Sequence, residues 1–188
     1  MSNFTSEDYK KELERVNSKS LFRKMVKSSV YTLITVAAIA VLVAVLFLPV
    51  LRIYGTSMTP TLDEGEYVIA LKTDKFETGD VVAFYFNNKV LVKRVIAKTG
   101  EWVDIDSQGN VYVNNVLIDE PYVSEKALGD CNIDLPYQVP ENRIFVIGDH
   151  RSVSVDSRDK SIGCIADEQI VGKIIFRIWP LTSIGTVR

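Results

Sequence analysis

Apolar residues are spread very unevenly along this chain. From Ser28 to Leu51 no charged residue occurs, and SSVYTLITVAAIAVLVAVLFLPVL runs for 24 residues. That length, as a helix, crosses a hydrocarbon core roughly 30 Å thick. It exceeds the apolar core of a cleaved secretory signal, about 7–15 residues, and no small-x-small site follows it. The pattern therefore predicts an uncleaved transmembrane helix over 28–51, with Pro49 near its end, where a break costs least. Residues 1–27 are polar and charged and read as a solvated tail, with a short amphipathic helix as the alternative.

After residue 51 the period changes. Tyr67–Leu71, Val81–Phe86, Val90–Ala97, Trp102–Ile105, Val111–Val113, Arg143–Ile147 and Gln169–Ile178 are short apolar or aromatic runs separated by turn residues, which predicts strands. Asn87-Asn88 predicts a tight hairpin and Ser107–Asn110 a second turn. Gly172 predicts a bend in the last strand. Residues 129–141 carry two prolines and read as loop. The fold class is mainly β: one N-terminal transmembrane helix, then an antiparallel, partly barrel-like domain over 52–188, with about 101–141 forming a β-hairpin and loop insertion.

Charge adds orientation. Arg15, Lys19, Arg23, Lys24 and Lys27 precede the apolar run with no acid among them, and only Arg52 follows closely. The positive-inside bias places the N-terminus in the cytoplasm and the β-domain outside the plasma membrane. The formal net charge of -2 gives no reason to expect a nucleic-acid partner. Cys131 and Cys164 lack zinc-site spacing and the single histidine adds little, so no metal or cofactor is expected. An external location permits a disulfide between these two cysteines without requiring one.

Three segments hold candidate chemistry. GTSMTPTL, residues 55–62, is by itself a turn with a serine; Gly55 allows close backbone approach and Pro60 stiffens it. VLVKRVIA, residues 90–97, puts Lys93 inside an apolar strand. Such a lysine either reaches for water at a strand edge or sits desolvated in an apolar pocket. In the second case its pKa falls, and a neutral amine can take a proton from a serine hydroxyl. GDHRSVSVDSR, residues 148–158, is dense in hydrogen-bonding groups and could be a polar loop tied together by its own charges.

In this order, the three segments resemble the bacterial type I signal peptidases. GTSMTPTL resembles the nucleophile box G-x-S-M-x-P-T-L. Residues 79–82, GDVV, resemble a short G-D-I/V-V box. KRVIA with Gly100 resembles the general-base box, and GDHRSVSVDSR the box G-D-N-R-x-x-S-x-D-S-R. IDEPYV and VPENRIFVIGD share the family's character. The resemblance implies a Ser/Lys endopeptidase that removes signal peptides from exported precursors after small residues of Ala-x-Ala type, through an acyl-enzyme. Its partners are precursor signal peptides and the lipid membrane.

The resemblance also implies roles. Ser57 is the nucleophile and Lys93 its general base. Ser154 hydrogen-bonds the lysine, and Met58 walls the pocket where the lysine loses water. Arg94 pairs with Asp149, and Asp156 with Arg158. The Ser57 N–H contributes to the oxyanion hole. Gly55 stands where some members carry a second, hydroxyl donor, which is the shorter, Gram-positive-like pattern. Ile53, Tyr54, Val81 and Phe84 are expected to line the substrate pockets. His150 replaces the usual Asn. Ser57, His150 and Asp149 invite a triad reading, but Asp149 and His150 are adjacent and point apart on an extended chain, so His150 reads as a hydrogen-bonding stand-in. A pilin-processing relative, a soluble Ser-Lys autoprotease of the repressor type, an inactive assembly chaperone and a plain tethered β-domain are the competing readings. The anchor speaks against the autoprotease, and the presence of both serine and lysine against the chaperone.

Overall fold

A computed structural model describes residues 6–73 and 75–187. The chain divides into two compact units, up to Leu46 and from Phe47 onward. The first is a single helix, α1, Ser6–Phe47. It contains a span long and apolar enough to cross a membrane, Leu13–Phe47. Two boundaries differ from the sequence pattern. The segment before Ser28 is helical from Ser6, as in the alternative reading of a helix there, because its lysines, glutamates, arginines and leucines are good helix formers. At the other end α1 stops at Phe47, short of Leu51. Pro49 lacks an N–H and biases the residue before it away from helix, so Val50 and Leu51 enter a strand instead.

Twelve strands follow among the described residues of the second unit. They are β1 (Val50–Arg52), β2 (Tyr67–Leu71), β3 (Val81–Phe86), β4 (Lys89–Ala97), β5 (Trp102–Ile105), β6 (Val111–Val113), β7 (Val116–Leu117), β8 (Tyr137–Gln138), β9 (Arg143–Ile147), β10 (Ile165–Ala166), β11 (Ile170–Trp179) and β12 (Gly185–Thr186). The larger sheet runs in the order β1-β2-β11-β3-β4-β9-β10, with β12 on β11. The smaller runs β7-β6-β5-β8. All pairings are antiparallel. The larger sheet ends at β1 and β10, so it is an open path and not a closed barrel.

Five of the two- and three-residue strands, β1, β7, β8, β10 and β12, leave no mark in the sequence pattern, because such pieces carry too few positions to show a period. The β6–β7 hairpin had a legible signal. Asn114 and Asn115 adopt φ of 53° and 65°, as Asn87 and Asn88 adopt 44° and 61° in the β3–β4 hairpin. Both are the left-handed Asn pairs that two-residue hairpins favour.

Strand β3 shows why the large sheet stands at the centre. Val81 and Ala83 pack with Ile53, Met58, Leu62, Val68, Ala70 and Ile174. Val82 and Phe84 pack with Val95, Ile144, Val146 and Ile165. Alternate residues thus reach two different cores, and all four are buried. A third core joins the sheets, with Ile96, Phe145 and Ile147 against Val103, Ile105 and Val111. Gly172 marks a register shift in β11. A Cβ there would sit 2.5 Å from the Leu71 carbonyl oxygen, so the bend is a close approach of two backbones. Gly172→Ala is therefore expected to destabilise the second unit by about 1–3 kcal/mol, as overpacking does, read as a lower midpoint of thermal unfolding.

Candidate active site

Ser57 lies on the turn-rich segment that leaves β1. Its position follows from the packing of its neighbours, since Ile53, Met58 and Leu62 are core residues. Gly55 has φ of +77°, and a Cβ there would meet nothing within 4 Å. The glycine is required by its left-handed backbone and not by a close neighbour. Lys93 lies in β4 opposite Val82 of β3. The two side chains meet: Lys93 Nζ is 2.7 Å from Ser57 Oγ.

Lys93 is only 4% exposed. Burial pushes its amine down from 10.5 to about 8; Asp156 opposes the fall, Arg158 adds to it, and Asp149 opposes it more weakly. Desolvation dominates because an ammonium loses more hydration than a neutral amine. Of the two surroundings open to an apolar-strand lysine, the structure has the buried one.

Charged residues brace the pair. Arg94, next in β4, grips Asp149 with two bonds, Nε to Oδ1 at 2.9 Å and Nη2 to Oδ2 at 2.6 Å. It also donates to the Gly79 carbonyl at 2.6 Å and to Thr61 Oγ1 at 3.1 Å. Thr61 in turn donates to Asp149. Asp156 accepts from Arg158 Nε at 2.8 Å and Nη2 at 2.9 Å, and from the Gly148 N–H at 3.0 Å. All four charged groups are almost wholly buried.

Ser154 is placed differently from its expected role. It is buried, and its hydroxyl makes no hydrogen bond among the described residues, to Lys93 or otherwise. It lies against Gly148, where a Cβ would come within 2.2 Å of Ser154 Oγ and 2.5 Å of the Ser57 carbonyl oxygen. Gly148 is thus a close-approach glycine that the motif contains but its sequence context does not explain.

His150 faces the serine turn from outside. Its backbone N–H donates to the Ser57 carbonyl at 3.1 Å. Its Nδ1 is 3.0 Å from Thr59 Oγ1 and 3.2 Å from the Thr56 carbonyl oxygen. Thr59 already donates its hydroxyl hydrogen to Thr56, and a carbonyl only accepts. Nδ1 must therefore carry the hydrogen. With both Asp149 oxygens held by Arg94, a Ser57–His150–Asp149 relay is not assembled.

Beside the pair runs a groove of about 510 Å³. Leu51, Ile53, Tyr54, Met58, Leu91 and Val92 form its apolar wall, with Arg52 and Lys89 among its polar lining. Ile53 and Tyr54 line it as expected. Val81 and Phe84 do not: both are consumed by the cores on either side of β3. The groove lies between two free edges. Among the described residues, β1 pairs with β2 alone, and β4 pairs with β9 only from Arg94 onward, leaving residues 89–93 with β3 alone. Glu120, Tyr122 and Arg151, not among the residues expected at the site, gather beside Arg94 and Gly148. Their approach is set by tertiary structure, and only the IDEPYV run hinted at it.

A membrane-length helix followed by antiparallel sheets, with a buried lysine amine against a serine hydroxyl, is an arrangement suited to a serine peptidase, and comparison with known proteins gives the family. Residues 25–179 match the family described as signal peptidase, peptidase S26, and the chain belongs to it. The chain is 39% identical to signal peptidase IB of Staphylococcus aureus (strain Mu50) over 151 residues, covering 70% of this chain and 78% of that protein. It is 35% identical to thylakoidal processing peptidase 1, chloroplastic, of Arabidopsis thaliana over 167 residues, 78% of this chain. It spans about half of that longer relative, 47%. A crystal structure of a signal peptidase I from Enterococcus faecalis V583 is 27% identical, with a TM-score of 0.43, covering 53% of this chain and 96% of that one.

Asp149→Ala would take from the buried Arg94 guanidinium the carboxylate that accepts two of its bonds. Removal of one partner of such a pair costs about 3–5 kcal/mol. The expected result is a large fall in the denaturation midpoint of the second unit. A midpoint equal to the wild type would show that the ion pair does not hold the site together.

Proposed function

We propose that the chain removes N-terminal signal peptides from exported precursor proteins, cutting after small residues through a Ser57 acyl-enzyme with Lys93 as general base. The observation that carries this reading is the contact of 2.7 Å between a buried lysine amine and a serine hydroxyl at the side of an apolar groove. Near and above pH 8 a substantial fraction of the amine is neutral. It can then accept the hydroxyl proton as Ser57 Oγ attacks the scissile carbonyl. The protonated lysine next gives that proton to the leaving amine, and the neutral amine activates the water that hydrolyses the ester. The Ser57 N–H contributes to stabilising the oxyanion. Gly55 can offer no side-chain donor there.

The groove suits an extended peptide. The free edges of β1 and of residues 89–92 offer backbone hydrogen bonds to an added strand. Leu51, Ile53, Leu91 and Val92 present apolar walls with no counter-charge for a basic side chain, which favours neutral residues near the cut. In this reading Met58 closes the pocket around the lysine, and the Arg94–Asp149 and Asp156–Arg158 pairs fix the two segments that carry the chemistry. Ser154 adds packing and a hydroxyl near the dyad.

The reading places the N-terminus in the cytoplasm and the second unit outside, on the strength of the basic residues from Arg15 to Lys27. Ser57 follows the end of α1 by ten residues along the chain. Protease added to intact protoplasts should digest the second unit and spare the N-terminal segment; the opposite pattern would reverse the topology.

The detergent-solubilised protein should cleave a precursor carrying an Ala-x-Ala site. Ser57→Ala and Lys93→Met, if folded, should lose essentially all cleavage, whereas His150→Asn should keep most of it. A dead His150→Asn beside an active Lys93→Met would sink the lysine mechanism. The pH profile gives a second check. The amine must be neutral to act, so kcat/KM should rise as pH increases through about 8 and level off above it. A rise centred near 6.5 would point to histidine instead.

A further inference from the structure

The small sheet sends one loop into the site. Glu120, just after β7, is 6% exposed and ion-paired with Arg151, itself 1% exposed. Arg151 Nε donates to the Gly148 carbonyl at 3.2 Å. Gly148 is the residue packed against the Ser57 carbonyl and Ser154 Oγ. Two residues beyond Glu120, the Tyr122 ring lies under the Arg94 guanidinium, 3.8 Å from its carbon to the ring centroid. Arg94 holds Asp149 and adjoins Lys93. Farther along the same loop, the Leu128 carbonyl accepts from Arg158 Nη1 at 2.6 Å. A Cβ at Gly129 would fall 2.4 Å from the Arg151 carbonyl oxygen.

We propose that Glu120 and Tyr122 are positioning residues, through which the loop after β7 sets the backbone and charges around Ser57 and Lys93. The inference rests on the Ser57/Lys93 reading above. Among the described residues neither bonds to Ser57 or Lys93, and each acts through an arginine. Glu120 fixes Arg151, which fixes Gly148 and with it the Ser57 carbonyl. Tyr122 supplies a flat π face that holds the Arg94 guanidinium in the plane where it meets Asp149 with both bonds. A buried ion pair of this kind contributes little net stability compared with apolar packing, but it selects one arrangement. An insertion needed only for bulk would not have to bury a carboxylate.

The chemistry is sensitive to such placement, because a displacement of about 1 Å can cost on the order of 100-fold in rate. Lys93 faces Ser57, Asp156, Arg158 and Asp149. If Tyr122 no longer holds Arg94, Asp149 loses its tight partner, and its charge then favours the ammonium more strongly.

The test uses the full-length protein in detergent with three variants: Glu120→Gln, Tyr122→Leu and Tyr122→Phe. Single-turnover cleavage of an Ala-x-Ala precursor is measured with enzyme in excess, per folded protein as fixed by thermal unfolding. Glu120→Gln and Tyr122→Leu are expected to slow cleavage by about 10- to 100-fold with KM changed less than about twofold. Tyr122→Leu should also move the pH midpoint above the wild-type value. Tyr122→Phe keeps the ring face and should stay within about threefold of wild type. Unchanged single-turnover rates and an unchanged pH midpoint in folded Tyr122→Leu would overturn the proposal, even if its unfolding temperature fell. Equal damage from Phe and Leu would overturn the role given to the ring. Wild-type protein that cleaves no faster than Ser57→Ala would remove the dyad reading itself, and the inference with it.

Discussion

The bidentate contact between Arg94 and Asp149 is the constraint on which the site depends. It joins β4 to the loop after β9, and through Thr61 it also holds the segment that carries Ser57. These three pieces are far apart in sequence. Without a geometrically specific link they could pack with the right hydrophobic contacts and still misplace a hydroxyl or an amine by an ångström. Apolar packing is tolerant of direction, whereas a guanidinium fork meeting a carboxylate is not. The burial of both charges makes the link obligatory, since a lone member would be left unsolvated.

The same brace explains how Lys93 can be buried beside so much charge. Asp149 and Asp156 would both favour an ammonium, and burial opposes it. Each carboxylate is engaged by its own arginine, Arg94 or Arg158, so neither is free to ion-pair with Lys93. The balance leaves the amine near 8, well below an exposed lysine and close to where a general base is most useful. The core packing contributes directly here: Met58 and Ile53 bring the serine turn over the sheet, while the short edges of β1 and β4 leave an opening beside it.

Much of the architecture was legible along the chain. The apolar run, the strand-period segments and the Asn87-Asn88 turn are local patterns, governed by side-chain periodicity and backbone preference. Their limits were equally physical. Pro49 stopped α1 at Phe47, and the two-residue strands had too few positions to declare themselves. At the site, Ser57, Lys93, Arg94, Asp149, Asp156 and Arg158 stood out through motif resemblance, and the structure brings them together. The expected Ser154–Lys93 bond is absent among the described residues, and Val81 and Phe84 turn into the cores instead of the groove.

The sequence by itself determined the membrane-length helix, the antiparallel β character and the identity of the motif residues, because each depends on neighbours within a few positions. The tertiary structure alone decided that Lys93 loses its water, that His150 bonds the serine turn in place of a relay, and that Glu120 and Tyr122 reach the arginines beside the site. Those outcomes depend on which atoms exclude solvent and which partners lie within hydrogen-bond distance. Desolvation and bonding angle are properties of a three-dimensional surround, and spacing along a chain does not specify them.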